Sequence, residues 1–557
     1  MAAWFLVAVT GCHKSDPESN APASRLPAAD SEPTVARMHW LGKKRMTAES
    51  NATNFMAIWN LPESAKLEAQ TLDKLSTAPW RLFASTASLS NAPTALLRPL
   101  LDDLVGEESY LEVQAATNQP DSLVLALHQD AARAALWQTN LPIILKSVFA
   151  SARVLSAEAS DFRLQTSDLS FALSRSGDWT LLSVGHASNT APSILTSFRD
   201  RIAATQTPCP PRTTNYWLEA DLDLRAFGLP ASALGVQPSP STRENLPEIT
   251  LTLIGDGQNV RTRGELSFPS PLSIPLPAWN LPTNLVREPL ISFAAVRGLR
   301  GLLAARAVPS WLGLAEWPDQ YYSWGRSGPP LQIYAAFPTQ NSANDFSQIA
   351  QPIADWIRAH LPAKDYGAVA FASNSALLNW DGLYFGLPSL RVVTNANTDF
   401  LLLSLAAFQL VPTNQIPKMP TPLIERIVSE TNLVALAWEF TGERLPQWRY
   451  LDDASRMTFD AAHRPRLNPS VASIEWVAKV MTNLLHAITE VKLAAPDRLA
   501  LSRKSTVGLT GWEINALANW LELPQFPAGF QTLFATNPTP PVIRRKANPN
   551  APLSTPP

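Results

Sequence analysis

Cysteine is almost missing from this chain, with two in 557 residues, Cys12 and Cys209. That excludes a disulfide framework; a single Cys12–Cys209 bridge in an oxidising compartment is the most the sequence could form. Charge is thin as well, at 17% Asp, Glu, Lys and Arg against an ordinary share of about 25%. Ser, Thr, Asn and Gln cover much of the surface instead. The formal net charge is −2, and no basic run exceeds three residues. A nucleic-acid partner requires a concentrated basic face, so none is expected. Beyond the N-terminus no apolar run approaches the ~18–20 residues of a membrane-spanning helix. The nearest, Phe400 to Val411, reads as a buried helix.

Local catalytic motifs are also wanting. The seven histidines are scattered, the closest two being His463 and His486, so no HExxH-type zinc site exists. There is no Gly-x-Ser-x-Gly elbow, since Gly325-Arg-Ser-Gly lacks the second spacing, and no Ser lies three residues before a Lys. Neither a P-loop nor a Gly-x-Gly-x-x-Gly stretch occurs. No cofactor is expected, and an enzyme is the less favoured class, although a triad drawn from distant residues needs no local motif.

Proline is abundant, 49 residues or close to twice the usual share of about 5%. It stiffens loops and ends helices and strands abruptly. The first twelve residues, Met1 to Cys12 (MAAWFLVAVTGC), form a short apolar leader closing on Val9-Thr10-Gly11-Cys12. That closure resembles a bacterial lipobox, in which the cysteine is lipidated and becomes the mature N-terminus. The leader lacks a Lys or Arg before Trp4, where a signal peptide carries positive charge; a start site further upstream explains this. Residues 13–37 are polar, with Pro17, Pro22, Pro27 and Pro33, and cannot bury enough surface to fold. As a flexible tether they would hold the body roughly 25–30 Å from the anchor.

Order is expected from about Met38. Phe55–Asn60 reads as a strand, Glu63–Ser76 and Leu96–Val105 as helices, and Tyr110–Ala116 with Ser122–His128 as a strand pair. A first domain is placed at 38–210 and a second region at 211–536. The order strand, helix, antiparallel strands, helix begins at Ser122 and recurs at about 331–411 and 432–522. In the second unit Thr398–Leu410 reads as the closing helix; in the third, Val471–Ile488 reads as an inserted helix. The fold class is therefore α+β, with antiparallel sheets and packed helices built from repeated strand-helix-strands-helix units. Residues 537–557 read as a disordered Pro-rich tail.

The clearest hairpin joins Glu248–Ile254 to Val260–Phe268 through Gly255-Asp256-Gly257-Gln258-Asn259. Its two strands alternate an apolar face with one bearing Thr250, Thr252, Arg261, Arg263 and Glu265. On a preceding strand Glu219, Asp221 and Asp223 share one face and are weak candidates for a cation site, though the solvated face of a half-buried strand is the favoured explanation. The aromatic run Trp317-Pro-Asp-Gln-Tyr321-Tyr322-Ser-Trp324 is the candidate ligand-binding feature. Rings on a stiff loop stack against sugars or line a partner groove, and that reading predicts exposed Trp317 and Trp324. In a chain with 18 Trp, a packed core loop is the favoured reading of the same run.

Several strings resemble an uncharacterised family of large bacterial envelope lipoproteins of unknown function. They are Leu61-Pro-Glu-Ser-Ala-Lys-Leu-Glu-Ala-Gln-Thr-Leu-Asp-Lys-Leu, Asn432-Leu-Val with Trp438-Glu-Phe-Thr, and Gly508-Leu-Thr-Gly511. The resemblance implies an address in the cell envelope and no catalytic residue. The expected protein is non-catalytic and held to the membrane by an acyl chain on Cys12. It would present a binding or scaffolding surface to an envelope protein or a glycan. His13 after Cys12 favours the outer over the inner membrane, where Asp resembles a retention signal. The alternative is an envelope hydrolase or carbohydrate-binding protein using residues 317–324.

Overall fold

Alternation over the 248–268 hairpin forms what it predicts: Glu248–Asp256 pairs with Asn259–Ser267 around a two-residue turn at Gly257-Gln258. Gly257 takes φ 64° there, a left-handed conformation that glycine adopts without strain. The computed structural model describes residues 34–530, apart from 50, 84–91, 117–118, 150, 159–160, 187–190, 214, 228–243, 305–317, 329–331, 362, 364–366, 373–375, 383–386, 396–397, 407–417 and 460–470.

The hairpin lies in the middle of an antiparallel sheet of 20 strands. The first ten are β1 (Thr34–Trp40), β2 (Ser109–Ala116), β3 (Gln119–His128), β4 (Arg153–Glu158), β5 (Asp161–Gln165), β6 (Leu169–Ser176), β7 (Trp179–His186), β8 (Leu218–Asp223), β9 (Glu248–Asp256) and β10 (Asn259–Ser267). The others are β11 (Leu290–Arg297), β12 (Gln320–Arg326), β13 (Gln332–Thr339), β14 (Ala368–Ala372), β15 (Leu377–Asp381), β16 (Leu387–Asn395), β17 (Thr398–Ala406), β18 (Leu433–Phe440), β19 (His486–Ala495) and β20 (Arg498–Ser505).

Following the hydrogen bonds from one edge gives 4-5-6-7-3-2-1-8-9-10. The strands beyond β10 run 20-19-18-11-12-13-17-16-15-14. The two runs meet where β10 pairs with β20, from Val260 opposite Ser505 to Ser267 opposite Arg498.

Helices cover both faces of each run. In the first, Pro62–Phe83, Thr94–Gly106 and Ala131–Val148 bury Trp80, Leu100 and Trp137 against Leu111, Val113 and Leu125. Ala191–Thr205 packs Ile194 and Phe198 on Tyr110, Val124 and Leu181 of the opposite face. In the second, Ser342–His360 seats Phe346 and Ile349 on Phe337 and Leu401. The chain around Leu281–Val286 and the helix Thr421–Ser429 close on Phe293, Tyr322 and Phe400.

Over the joint, helices Thr441–Phe459, Ala472–Val480 and Gly511–Leu521 pack together, and Ala472–Val480 also packs on Pro62–Phe83. They bury Ile58, Leu445, Val477 and Ile514 in one cluster. Lys74 donates to Glu522 and Trp476 to Ser64, tying the layer across the two runs. Gly511–Leu521 begins with a capping box, Thr510 with Glu513, which satisfies orphan N–H groups at its start.

The structure corrects five expectations. Thr34–Arg37, placed in the tether, are part of β1, where Val35 is buried. Phe55–Asn60 is not a strand; Thr53–Trp59 is a helix packed near β10. The helix expected at Thr398–Leu410 does not form over Thr398–Ala406, which is β17, enclosed between β13 and β16. The helix expected at Val471–Ile488 ends at Val480, with a 3-10 turn to Asn483 and β19 from His486. The boundary expected at 210/211 falls within the continuous sheet, since β8 pairs with β1. Cys12, most of the tether and the tail lie outside the described residues.

Candidate functional site

A cavity of about 600 Å³ opens where the ends of β11, β12 and β18 meet the start of helix Thr441–Phe459. Its walls are mainly apolar, from Ile291, Phe440, Pro446, Met481, Leu484 and Leu485. Ser327, Glu443, Gln447, Tyr450 and Thr482 add polar groups, and Glu443 is the one carboxylate among the described lining residues. Volume and lining fit the ordinary character of small-molecule sites, an apolar pocket with a few placed polar groups.

Two glycines make the arrangement sterically feasible. A Cβ at Gly442 would stand 2.6 Å from Met481 O and 2.9 Å from Leu484 O, so only glycine lets the helix start approach that backbone. At Gly325 a Cβ would stand 2.8 Å from Ser292 Oγ and 2.9 Å from Arg444 Nη1. The missing side chain on β12 is the space into which Arg444 extends.

Arg444 is 6% exposed, and the guanidinium donates to Gln447 Oε1. It lies 4.4 Å over the Trp448 ring, in cation–π range. Burial lowers its pKa to about 10, against the countering charge of Glu439, so it stays protonated at neutral pH. No carboxylate among the described residues comes within ion-pair reach of it. Glu439 instead accepts from Gly511 N at 2.6 Å and Thr441 Oγ1 at 3.0 Å, while burial pushes its carboxyl above the usual range. Gln447 Nε2 donates to Arg326 O at 3.0 Å, closing the back wall. The indole N–H of Trp448 is buried with no partner. The region thus concentrates hydrogen-bond donors behind an apolar cavity.

The residues singled out in the sequence lie elsewhere or differ in role. Gln320–Arg326 is strand β12, not a loop. Tyr322 is 0% and Trp324 2% exposed, with Trp324 stacked on Tyr334 at 5.3 Å. Their faces belong to the core, and Tyr321 is half-buried, its hydroxyl pushed up by burial. Trp317 lies outside the described residues. The expected exposure therefore does not hold at Trp324.

Glu219, Asp221 and Asp223 do share a face of β8, but the chain's own donors occupy them. Glu219 accepts from Arg212 N at 2.9 Å and Thr213 N at 3.0 Å, Asp221 pairs with Arg212, and Asp223 accepts from Arg225 N at 2.9 Å. Among the described residues no group of three or more His, Cys, Asp or Glu is placed to hold a metal ion.

Sequence reasoning missed the Arg444–Gln447 pair and the cavity. The available signal was an Arg and a Gln three residues apart on a helix beginning with Thr441-Gly442, which place both side chains on one face. Comparison with protein-family models, curated proteins and solved structures gives no match.

Proposed function

We propose that this chain is a non-catalytic, lipid-anchored protein of the cell envelope whose folded body binds a ligand or partner. The binding half of the proposal rests on the cavity beside helix Thr441–Phe459. Its lining offers an apolar volume, hydrogen-bonding groups and a single carboxylate. Glycoside hydrolysis uses two carboxylates about 5–10 Å apart, and the described lining residues do not supply that pair. The address rests on Met1–Cys12 and on the polar, Pro-rich residues that follow. Among the described residues no helix is long and apolar enough to cross a membrane, so an acyl chain on Cys12 is the proposed attachment. Outer-membrane sorting is the favoured destination.

The strand order supports a repeated architecture. Each strand in β1–β10 has the same neighbours as the strand ten places later, and we infer a duplicated unit joined edge to edge at β10 and β20. The expected units at 122–203 and 331–411 hold equivalent places in it. In the unit at 432–522 the strands β18–β20 correspond to β8–β10. Two helices, Thr441–Phe459 and Ala472–Val480, enter between β18 and β19, where the described residues between β8 and β9 form the short helix Leu224–Phe227.

Mass spectrometry of the mature N-terminus tests the address. A diacylglyceryl-modified Cys12 is the expected species, and an unprocessed Met1 or a free Cys12 thiol contradicts it.

A further inference from the structure

Arg444 has a feature that packing alone leaves uncompensated. A charge taken out of water is ordinarily offset by an ion pair or a full set of hydrogen bonds. Arg444 is 6% exposed, makes its hydrogen bond to the neutral Gln447, and rests on the face of Trp448. Trp448 Nε1 is itself a buried donor without an acceptor. A cation and an orphan donor stand side by side, and Glu439, the carboxylate whose charge Arg444 feels, is committed to Gly511 and Thr441. Gln447, the acceptor that Arg444 uses, also lines the cavity.

We propose that the cavity takes a carboxylate amphiphile, with an apolar chain against Ile291, Phe440, Met481 and Leu484 and its carboxylate drawn toward Arg444. The planar guanidinium fork matches a carboxylate, and the lining matches a hydrocarbon chain. Glu443 at the wall opposes an anion, but it is exposed and its field is screened by solvent, whereas that of the buried Arg444 is not. Leu485, 42% exposed, extends the apolar surface at the opening. The inference rests on the binding half of the proposed function and names its ligand class.

Calorimetric titration of the full chain carrying Cys12→Ser, which needs no detergent, with decanoate and with decanol separates the contributions. Decanoate is expected to bind one per chain, about tenfold or more tighter than decanol, as one charge-assisted hydrogen bond allows. Arg444→Met is expected to bring decanoate down to the level of decanol. Leu485→Asp sits at the surface, where folding is insensitive to it, and should weaken both ligands at least severalfold with an unchanged circular dichroism spectrum. Equal binding of decanoate and decanol to the Arg444 protein overturns the anionic-head inference while leaving the cavity a binding site. Binding of neither overturns both the inference and the binding reading beneath it.

Discussion

His39 Nε2 and the Tyr216 hydroxyl lie 2.8 Å apart, 177 positions distant in the chain, and both meet Glu108 Oε1, at 2.9 and 3.2 Å. This triangle fastens β1 to the start of β2 and to the residue leading into β8. Burial raises the Glu108 carboxyl, but the His39 bond, the Arg45 and His39 charges and the Tyr216 bond together outweigh it and hold it below the usual carboxylate range. A carboxylate lowered in the folded state stabilises it above the unfolded pKa, and that stability is lost as pH falls through the folded value. The urea midpoint should therefore drop as pH is lowered from 6 toward 3, and more steeply in wild type than in Glu108→Gln. Parallel profiles for the two proteins would contradict this role.

Glu112 extends the same polar face. It is 2% exposed and accepts from Tyr110 at 2.7 Å, Arg201 at 3.2 Å and Gln114 at 3.1 Å. Glu112→Gln keeps the shape but removes the charge opposite Arg201, at a cost of about 2–3 kcal/mol in unfolding free energy. Equilibrium urea denaturation measures it; a change within experimental error would place the arginine's compensation elsewhere.

Gly442→Ala should destabilise by about 1–3 kcal/mol through overpacking, since the added methyl meets the backbone oxygens of Met481 and Leu484, which cannot rotate away. Gly177→Ala is the comparison: a Cβ there meets nothing within 4 Å, so only the φ of 57° counts against it. The first should lower the urea midpoint more than the second, and the reverse order would show that the helix start is free to move.

Trp324→Ala removes a ring that is 2% exposed and stacked on Tyr334. A loss of about 3–5 kcal/mol is expected for a large buried aromatic. Unchanged stability with altered glycan binding would restore the surface role that the sequence suggested.

Residues whose pattern decides both period and face were readable from the sequence. The 248–268 hairpin is readable from its alternation, and the helix containing Glu63–Ser76 from Leu67, Leu72 and Leu75 on one side, all three buried. The helix containing Leu96–Val105 is readable with Pro99 near its expected first turn. Phe400–Val411 defeated the same reasoning. A strand enclosed by neighbours on both edges and largely buried carries a nearly continuous apolar run, here Phe400–Ala406 with Ser404 in it. Periodicity does not distinguish such a run from a buried helix. Phe55–Asn60 is too short for either period to show. Likewise, nothing local tells that Gly325 leaves a gap for Arg444, because the two are brought together only when β12 meets helix Thr441–Phe459. The three carboxylates of β8 were placed correctly on one face, but their partners Arg212 and Arg225 could not be assigned from spacing. The favoured reading of the aromatic run, a packed core position, holds at Tyr322 and Trp324, which point to the same buried side. The expected loop is instead strand β12, and the exposure required by the binding reading fails at Trp324.

Attachment through Cys12 is the claim on which the envelope address depends. Metabolic labelling with a palmitate analogue, comparing wild type with Cys12→Ala, tests it most directly. The account predicts a labelled wild-type protein that sediments with membranes and a variant that loses both label and sedimentation. An unlabelled wild type recovered in the soluble fraction would contradict it.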